Sequence, residues 1–209
     1  MHNLKFVLPL IVLCNLAMAQ LKPLNLPLSA PNVEDVLLGK DGLLWVGTTE
    51  GLNVFYDDEN HVFYSKIEDS LSLLNSNIKH LFTTQNNQLL ALTRGGLNVY
   101  NKKGFSFRRI PMESSPTGVW ESPVGFIWIS TEQSGIYVLD KSLEIKEHFV
   151  FDPINPLSIS TSRFEKLNPV QLFYSDATKK ILIATPNGLN AYDSSIATFK
   201  RYFKGGKTK

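Results

Sequence analysis

One stretch recurs four times along this chain, and its spacing restricts the fold more than any other feature. Residues 41–55 read DGLLWVGTTEGLNVF. Related text returns as NNQLLALTRGGLNVY at 86–100, VGFIWISTEQSGIYVL at 124–139 and TKKILIATPNGLNAY at 178–192. Each copy holds two short apolar runs split by a glycine turn. The first copy opens on Asp41-Gly42, a strong hairpin signal. The turn glycines Gly51, Gly96, Gly135 and Gly188 lie 45, 39 and 53 residues apart. A repeat of that length built from short strands is the mark of propeller blades. The sequence therefore predicts an all-β chain, an open, partial β-propeller of about four four-stranded blades.

Each blade reads the same way. The second strands, LLWV, LLAL, FIWI and ILIA, are apolar on both faces, as expected of a sheet packed between two neighbours. Inner strands are expected at 33–38, 78–83, 117–121 and 170–174. Outer strands are expected at 62–67, 105–110, 144–151 and 198–203, where charges alternate with apolar residues as at a solvated sheet edge. The repeats run over about 33–76, 77–115, 116–165 and 166–203, with a tail at 204–209. The fourth repeat contains its own outer strand, so residues 20–32 have no vacancy to fill. An open arc with an apolar face at either end is expected, and with it self-association or a partner chain completing the ring.

The recurrence of Gly-Leu-Asn at 51–53, 96–98 and 188–190, six residues after Trp45, Leu90 and Leu182, makes the pattern more specific. With the Asp-Gly turn, the Trp-led strand ending Gly-Thr, and the link Asp152-Pro153-Ile154-Asn155-Pro156-Leu157-Ser158, it resembles the two-component regulator propeller repeat. A weaker form of the link stands at Asp69-Ser70-Leu71-Ser72. The later copies depart from the family pattern: the second and fourth lose Asp-Gly and the tryptophan, and the third has Gly135-Ile136 in place of Gly-Leu. That family forms the extracytoplasmic sensor regions of bacterial hybrid histidine kinases. The resemblance implies a ligand-sensing module, for which oligosaccharides or other small solutes are the expected ligands. The family's kinase output is not in this sequence, so a truncated sensor is expected. A secreted protein-interaction scaffold and a non-functional gene fragment stay open as alternatives.

Residues 1–19 carry a basic Lys5, an apolar core and Ala17-Met18-Ala19, a cleavable export signal ending before Gln20. Its apolar run is too short to span a bilayer comfortably, so no membrane span is expected beyond the leader. Export to the periplasm or medium follows. Lipid attachment at Cys14 is the weaker reading, because bulky Leu13 precedes it. Cys14 is the only cysteine, so disulfides play no part after cleavage. Residues 20–32 carry prolines at 23, 27 and 31 and read as an extended or edge segment. With 21 basic against 19 acidic residues there is no electrostatic case for nucleic acid.

Catalysis finds no support. There is no Gly-x-Ser-x-Gly elbow, and His61, His80 and His148 are scattered without metal-ligand spacing. The acidic run at 57–60 lacks the glycine and terminal glutamate of a calcium loop and reads as a hairpin tip. No cofactor and no metal are expected. Trp45 and Trp128 fill one structural slot between blades, and Gly51, Gly96, Gly135 and Gly188 are backbone devices. Candidate ligand contacts lie in the turns between second and third strands and in the links, which share one side of an up-and-down blade: Glu50, Arg94, Glu132, Gln133, Arg163 and Asn187. Trp120, on an inner strand beside the central channel, completes the set or packs on the next blade.

Overall fold

A computed structural model describes residues 26–56, 59–164 and 172–203. The expected leader, residues 20–25, Asp57, Asp58, the 165–171 stretch and the tail lie outside the described residues. Among the described residues, sixteen strands form four antiparallel sheets in sequence order. Blade 1 comprises β1 (Val33–Leu38), β2 (Leu44–Thr48), β3 (Gly51–Tyr56) and β4 (Glu59–Phe63). Blade 2 comprises β5 (Ile78–Thr83), β6 (Leu89–Thr93), β7 (Gly96–Asn101) and β8 (Ser106–Pro111). Blade 3 comprises β9 (Pro116–Glu121), β10 (Ile127–Thr131), β11 (Ile136–Leu139) and β12 (Ile145–Phe149). Blade 4 comprises β13 (Leu172–Ser175), β14 (Lys180–Thr185), β15 (Gly188–Asp193) and β16 (Thr198–Tyr202).

Because paired residues share a face, each blade has a rear face toward the preceding blade and a forward face toward the next. The apolar core is divided into three clusters, one per seam between successive blades. Three seams join four blades in a row, and no seam among the described residues joins blade 4 to blade 1. The chain is an open partial β-propeller.

The first and third seams are built alike. In the first, Trp45 of β2 lies edge-on to Tyr100 at 4.9 Å and stacks near Phe63, with Phe107 beyond. In the third, Trp128 of β10 meets Tyr192 at 5.2 Å and Phe149 at 5.7 Å, with Phe199 beyond. The middle seam is mainly aliphatic, with Leu90, Leu92 and Leu97 facing Ile127, Ile129 and Leu139.

Outside the strands, two arginines hold the long links in place. Arg109 on β8 donates from Nε to the Ser72 carbonyl at 2.7 Å and from Nη2 to the carbonyls of Asp69 and Leu73. Arg201 on β16 repeats this on Ser158, Asn155 and Ile159. Both links thereby wrap a guanidinium, whose fork supplies several donors to one turn of chain.

Two positions depart from the sequence reading. The first outer strand is Glu59–Phe63, not 62–67. Glu59 and Asn60 of the supposed hairpin tip therefore belong to an edge strand, where exposed polar side chains are tolerated. Of the segment 20–32, the described part is not a strand. Its Ser29 N–H donates to Asn53 Oδ1 at 2.9 Å, as Leu74 does to Asn98 and Ser160 to Asn190. It docks on blade 1 in the way that the inter-blade links dock on blades 2 and 4.

Candidate functional site

The turns between second and third strands are fixed by one repeated device. Thr48, Thr93, Thr131 and Thr185 each donate Oγ1 to the carbonyl of the turn glycine, Gly51, Gly96, Gly135 and Gly188. At Gly135 φ is 77°, and a Cβ there would collide with the Phe149 carbonyl on the outer strand. Gly188, at φ 116°, meets the Tyr202 carbonyl in the same way. A side chain fits neither place, which explains why glycine recurs.

From these turns a hydrogen-bonded ribbon runs across one side of the arc. Thr49 N–H bonds the Asn32 carbonyl, and the Thr49 carbonyl accepts from Asn77 Nδ2 at 3.4 Å. The Asn77 carbonyl accepts from Arg94 N–H at 3.2 Å, and Gly95 receives Met112 N–H. Next, Glu132 N–H donates to Ser115, while Glu132 and Ser162 carbonyls accept from Phe164 and Gly135. Gln133 and Ser134 N–H both bond Ser114 Oγ at 3.1 Å. Finally Asn187 Nδ2 reaches the Ser160 carbonyl at 3.2 Å. The links and turns thus share one side, with their backbones pinned.

Of the candidate residues, Glu50, Arg94, Gln133, Arg163 and Asn187 are exposed on this side and Glu132 is half-buried. Glu132, Gln133 and Arg163 come together where the third turn meets the link to blade 4. Glu50 and Arg94 lie on either side of Asn77. Trp120 stands apart from them. It is partly buried against the third-seam cluster and lines a recess of about 510 Å³ at the opposite rim, with Lys40, Gln85 and Glu121. There the Glu121 carboxylate already accepts the Gln85 N–H at 2.6 Å.

Neighbouring inner strands are tied to one another. Asp35 Oδ2 accepts the Leu81 N–H at 2.8 Å, and His80 Nε2 lies 3.1 Å from the Thr117 carbonyl. Sequence reasoning missed the residues that hold this scaffold: the buried Asn53, Asn98 and Asn190, and Arg109 and Arg201. The asparagines were visible as the third letter of the recurring tripeptide. The arginines sit in alternating edge strands and read there as solvent-facing.

No convergent catalytic group emerges among the described residues. The depressed carboxyls, Asp41, Asp140 and Asp193, are surface groups held by local hydrogen bonds and lysine partners. The raised hydroxyls of Tyr100, Tyr137 and Tyr192 owe their shift first to burial in the seams. No group of three or more metal-ligating side chains is assembled among the described residues. No helix among them is long and apolar enough to cross a membrane.

The architecture is that of a β-propeller scaffold presenting pinned loops on one side. No family model matches the chain, and no curated protein matches it in sequence. In solved structures it is similar to the extracellular domain of a putative one component system of B. thetaiotaomicron. That match has a TM-score of 0.62 at 18% identity and covers 82% of this chain and 25% of that one. It is also similar to the extracellular domain of a putative hybrid two component system of the same organism, with TM-score 0.53, 20% identity, 82% of this chain and 30% of the other. A virginiamycin B lyase from Staphylococcus aureus shares the fold as well, with TM-score 0.52, 11% identity, and 85% and 69% coverage. The chain spans 25% to 30% of the length of the two sensor-system domains.

Proposed function

We propose that this chain is an extracytoplasmic ligand-sensing propeller module of the two-component regulator propeller type, binding a small solute on its link-and-turn side. One observation supports this reading above the others: the hydrogen-bonded ribbon from Thr49 to Asn187. Its bonds fix the backbone while leaving the side chains of Glu50, Arg94, Gln133 and Arg163 exposed, with Asn187 exposed but tied to the Ser160 carbonyl. Loops held rigid by a scaffold, with side chains that differ from copy to copy, are the usual construction of a binding surface. Mixed acidic, basic and amide groups without a dominant charge suit a neutral polyhydroxylated ligand, whose hydroxyls both donate and accept hydrogen bonds. An oligosaccharide is therefore the ligand class we assign. Binding without catalysis is consistent with the dispersal of the shifted titratable groups.

The recess beside Trp120 favours a second reading, in which an aromatic platform at the opposite rim takes the ligand. Calorimetric titration of the exported chain with a panel of neutral and acidic oligosaccharides separates the two. Arg163→Ala and Gln133→Ala should each weaken binding about tenfold or more, the value of one lost polar contact to a ligand, and Trp120→Ala should leave it unchanged. Loss of binding in Trp120→Ala alone would transfer the site to the opposite rim. A panel without any binder would remove the oligosaccharide assignment.

A further inference from the structure

The turns between third and fourth strands start on equivalent residues in blades 2, 3 and 4: Asn101, Asp140 and Asp193, each at the same distance from its turn glycine. Each Oδ1 accepts the N–H two residues on, from Lys103 at 3.2 Å, Ser142 at 2.8 Å and Ser195 at 3.0 Å. In blades 3 and 4 the carboxylate also neutralises a lysine, Lys146 on Asp140 at 3.0 Å and Lys180 on Asp193 at 3.2 Å. Blade 2 keeps the turn and omits the charge, beside Lys102 and Lys103.

Asn101 borders a recess of about 500 Å³ between blades 1 and 2, on the rim opposite the links. Its floor is apolar, formed by Leu37, Trp45, Leu89 and Tyr100. Its walls are basic: Lys40 comes from the β1–β2 turn, and Lys102 and Lys103 come from the β7–β8 turn. Asp41 is the one carboxylate lining it among the described residues, and Lys102 Nζ pairs with it at 2.9 Å. Lys40 and Lys103 form no ion pair among the described residues. Arg108 stands at the edge, its guanidinium already engaged by Glu144 and the Ser142 carbonyl of blade 3. The corresponding recess of the next seam is smaller, about 310 Å³, and there Lys141 and Arg108 are offset by Glu121.

We propose that this recess binds a small organic anion, an oxoanion group carried on a compact apolar or ring-shaped body. Its volume is that of ligand pockets, which run to about 300–1,000 Å³ and join an apolar lining to a few convergent polar groups. Lysines scattered over a convex surface are satisfied by water. Here they converge from two blades over an apolar floor, and the carboxylate that blades 3 and 4 place at the same turn is missing. An ammonium is a point charge on a flexible stem, so the site selects for negative charge and not for one acid geometry. An anion held between Lys40 and Lys103 ties blade 1 to blade 2, and its binding should raise Tm. The proposal does not rest on the oligosaccharide reading, which uses the opposite side of the blades. Of the charged side chains here, only Lys40 also lines the Trp120 recess.

The test is calorimetric titration of the exported chain with phenyl phosphate, phenyl sulfate and benzoate, and with inorganic phosphate and phenol as the separate halves of the first. At least one of the three organic anions should bind, which assigns the acid group, and inorganic phosphate and phenol should bind more weakly. Lys40→Ala and Lys103→Ala should each raise the dissociation constant about tenfold or more, the weight of one charge-assisted contact. Asn101→Asp keeps the turn and restores the carboxylate of blades 3 and 4. It should weaken binding by a similar factor, through like charge facing the ligand, while circular dichroism and the melt of the unliganded chain stay unchanged. Lys200→Ala, the same loss of charge on blade 4, should have no effect, and added salt should weaken binding. Absence of binding by all three organic anions would overturn the proposal. So would an affinity indifferent to Lys103→Ala and Asn101→Asp, or an equal loss in Lys200→Ala. Inorganic phosphate binding as tightly as phenyl phosphate would overturn the role given to the apolar floor.

Discussion

Replacing Arg201 with methionine should unfasten the link between the third and fourth blades. Arg201 is 9% exposed, and burial lowers its pKa against the pull of Asp152. Its Nε donates to the Ser158 carbonyl at 2.7 Å and its Nη2 to the Asn155 carbonyl at 2.9 Å, with Ile159 farther at 3.3 Å. A hydrogen bond from a charged donor is worth about 1.5–3 kcal/mol. The link is exposed at Asn155, so water recovers part of what the two shorter bonds supply. Methionine keeps the packing of the stem. With that discount the expected cost is roughly 2–3 kcal/mol, a fall in Tm of roughly 4–12 °C for a domain of this size. Lysine should recover less than half, because one ammonium cannot span carbonyls that the planar fork reaches together. Urea and thermal melts followed by circular dichroism measure the loss, and limited proteolysis should open the chain at 152–158. If both substitutions cost under about 0.5 kcal/mol, the size of an ordinary surface change, the stapling role assigned to Arg201 is wrong.

Trp45→Ala and Trp128→Ala should each destabilise by roughly 3–5 kcal/mol, the cost of emptying a buried large aromatic site; values under about 1 kcal/mol at both would contradict the seams described. Asn98→Ala leaves the Leu74 N–H, now bonded at 2.7 Å, without its acceptor and should cost about 1–3 kcal/mol in the same melts. Asp41 is held below its ordinary value of 3.8 chiefly by its hydrogen bond to Lys102. A depressed carboxyl contributes stability that is present above the unfolded value and lost as pH falls through the folded one. Lys102→Met should therefore reduce the acid sensitivity of Tm below about pH 4, and only slightly, since Lys102 is 69% exposed. Melts of both proteins between about pH 2.5 and 6 would show it.

How far the sequence carries is clear from particular residues. Leu44-Trp45-Val46 and Ile127-Trp128-Ile129 are apolar on both sides of the strand because both blade faces are covered, and that pattern survives without any structure. Glycine punctuation marks the turns for a similar reason, since the backbone at Gly135 and Gly188 admits no side chain. Other features depend on pairings that no local pattern contains. Arg109 and Arg201 alternate with apolar residues as a solvated edge would, and only the wrapping of the link around them removes them from water. The absence of tryptophan at Leu90 and Leu182 reads as decay of a single repeat. In space, Leu90 marks a second, mainly aliphatic kind of seam. The turn side could be read as one surface from blade topology, whereas the bonds through Asn77, Ser115 and Phe164 that join its turns could not.

Amide chemical shifts of the labelled chain, followed during titration with the tightest-binding oligosaccharide, test the sensing account most directly. The account predicts perturbations confined to residues 49–51, 94–95, 114–115, 132–134, 162–164 and 187. Perturbations grouped instead around Lys40, Gln85, Trp120 and Glu121, with the link-and-turn side silent, would contradict it.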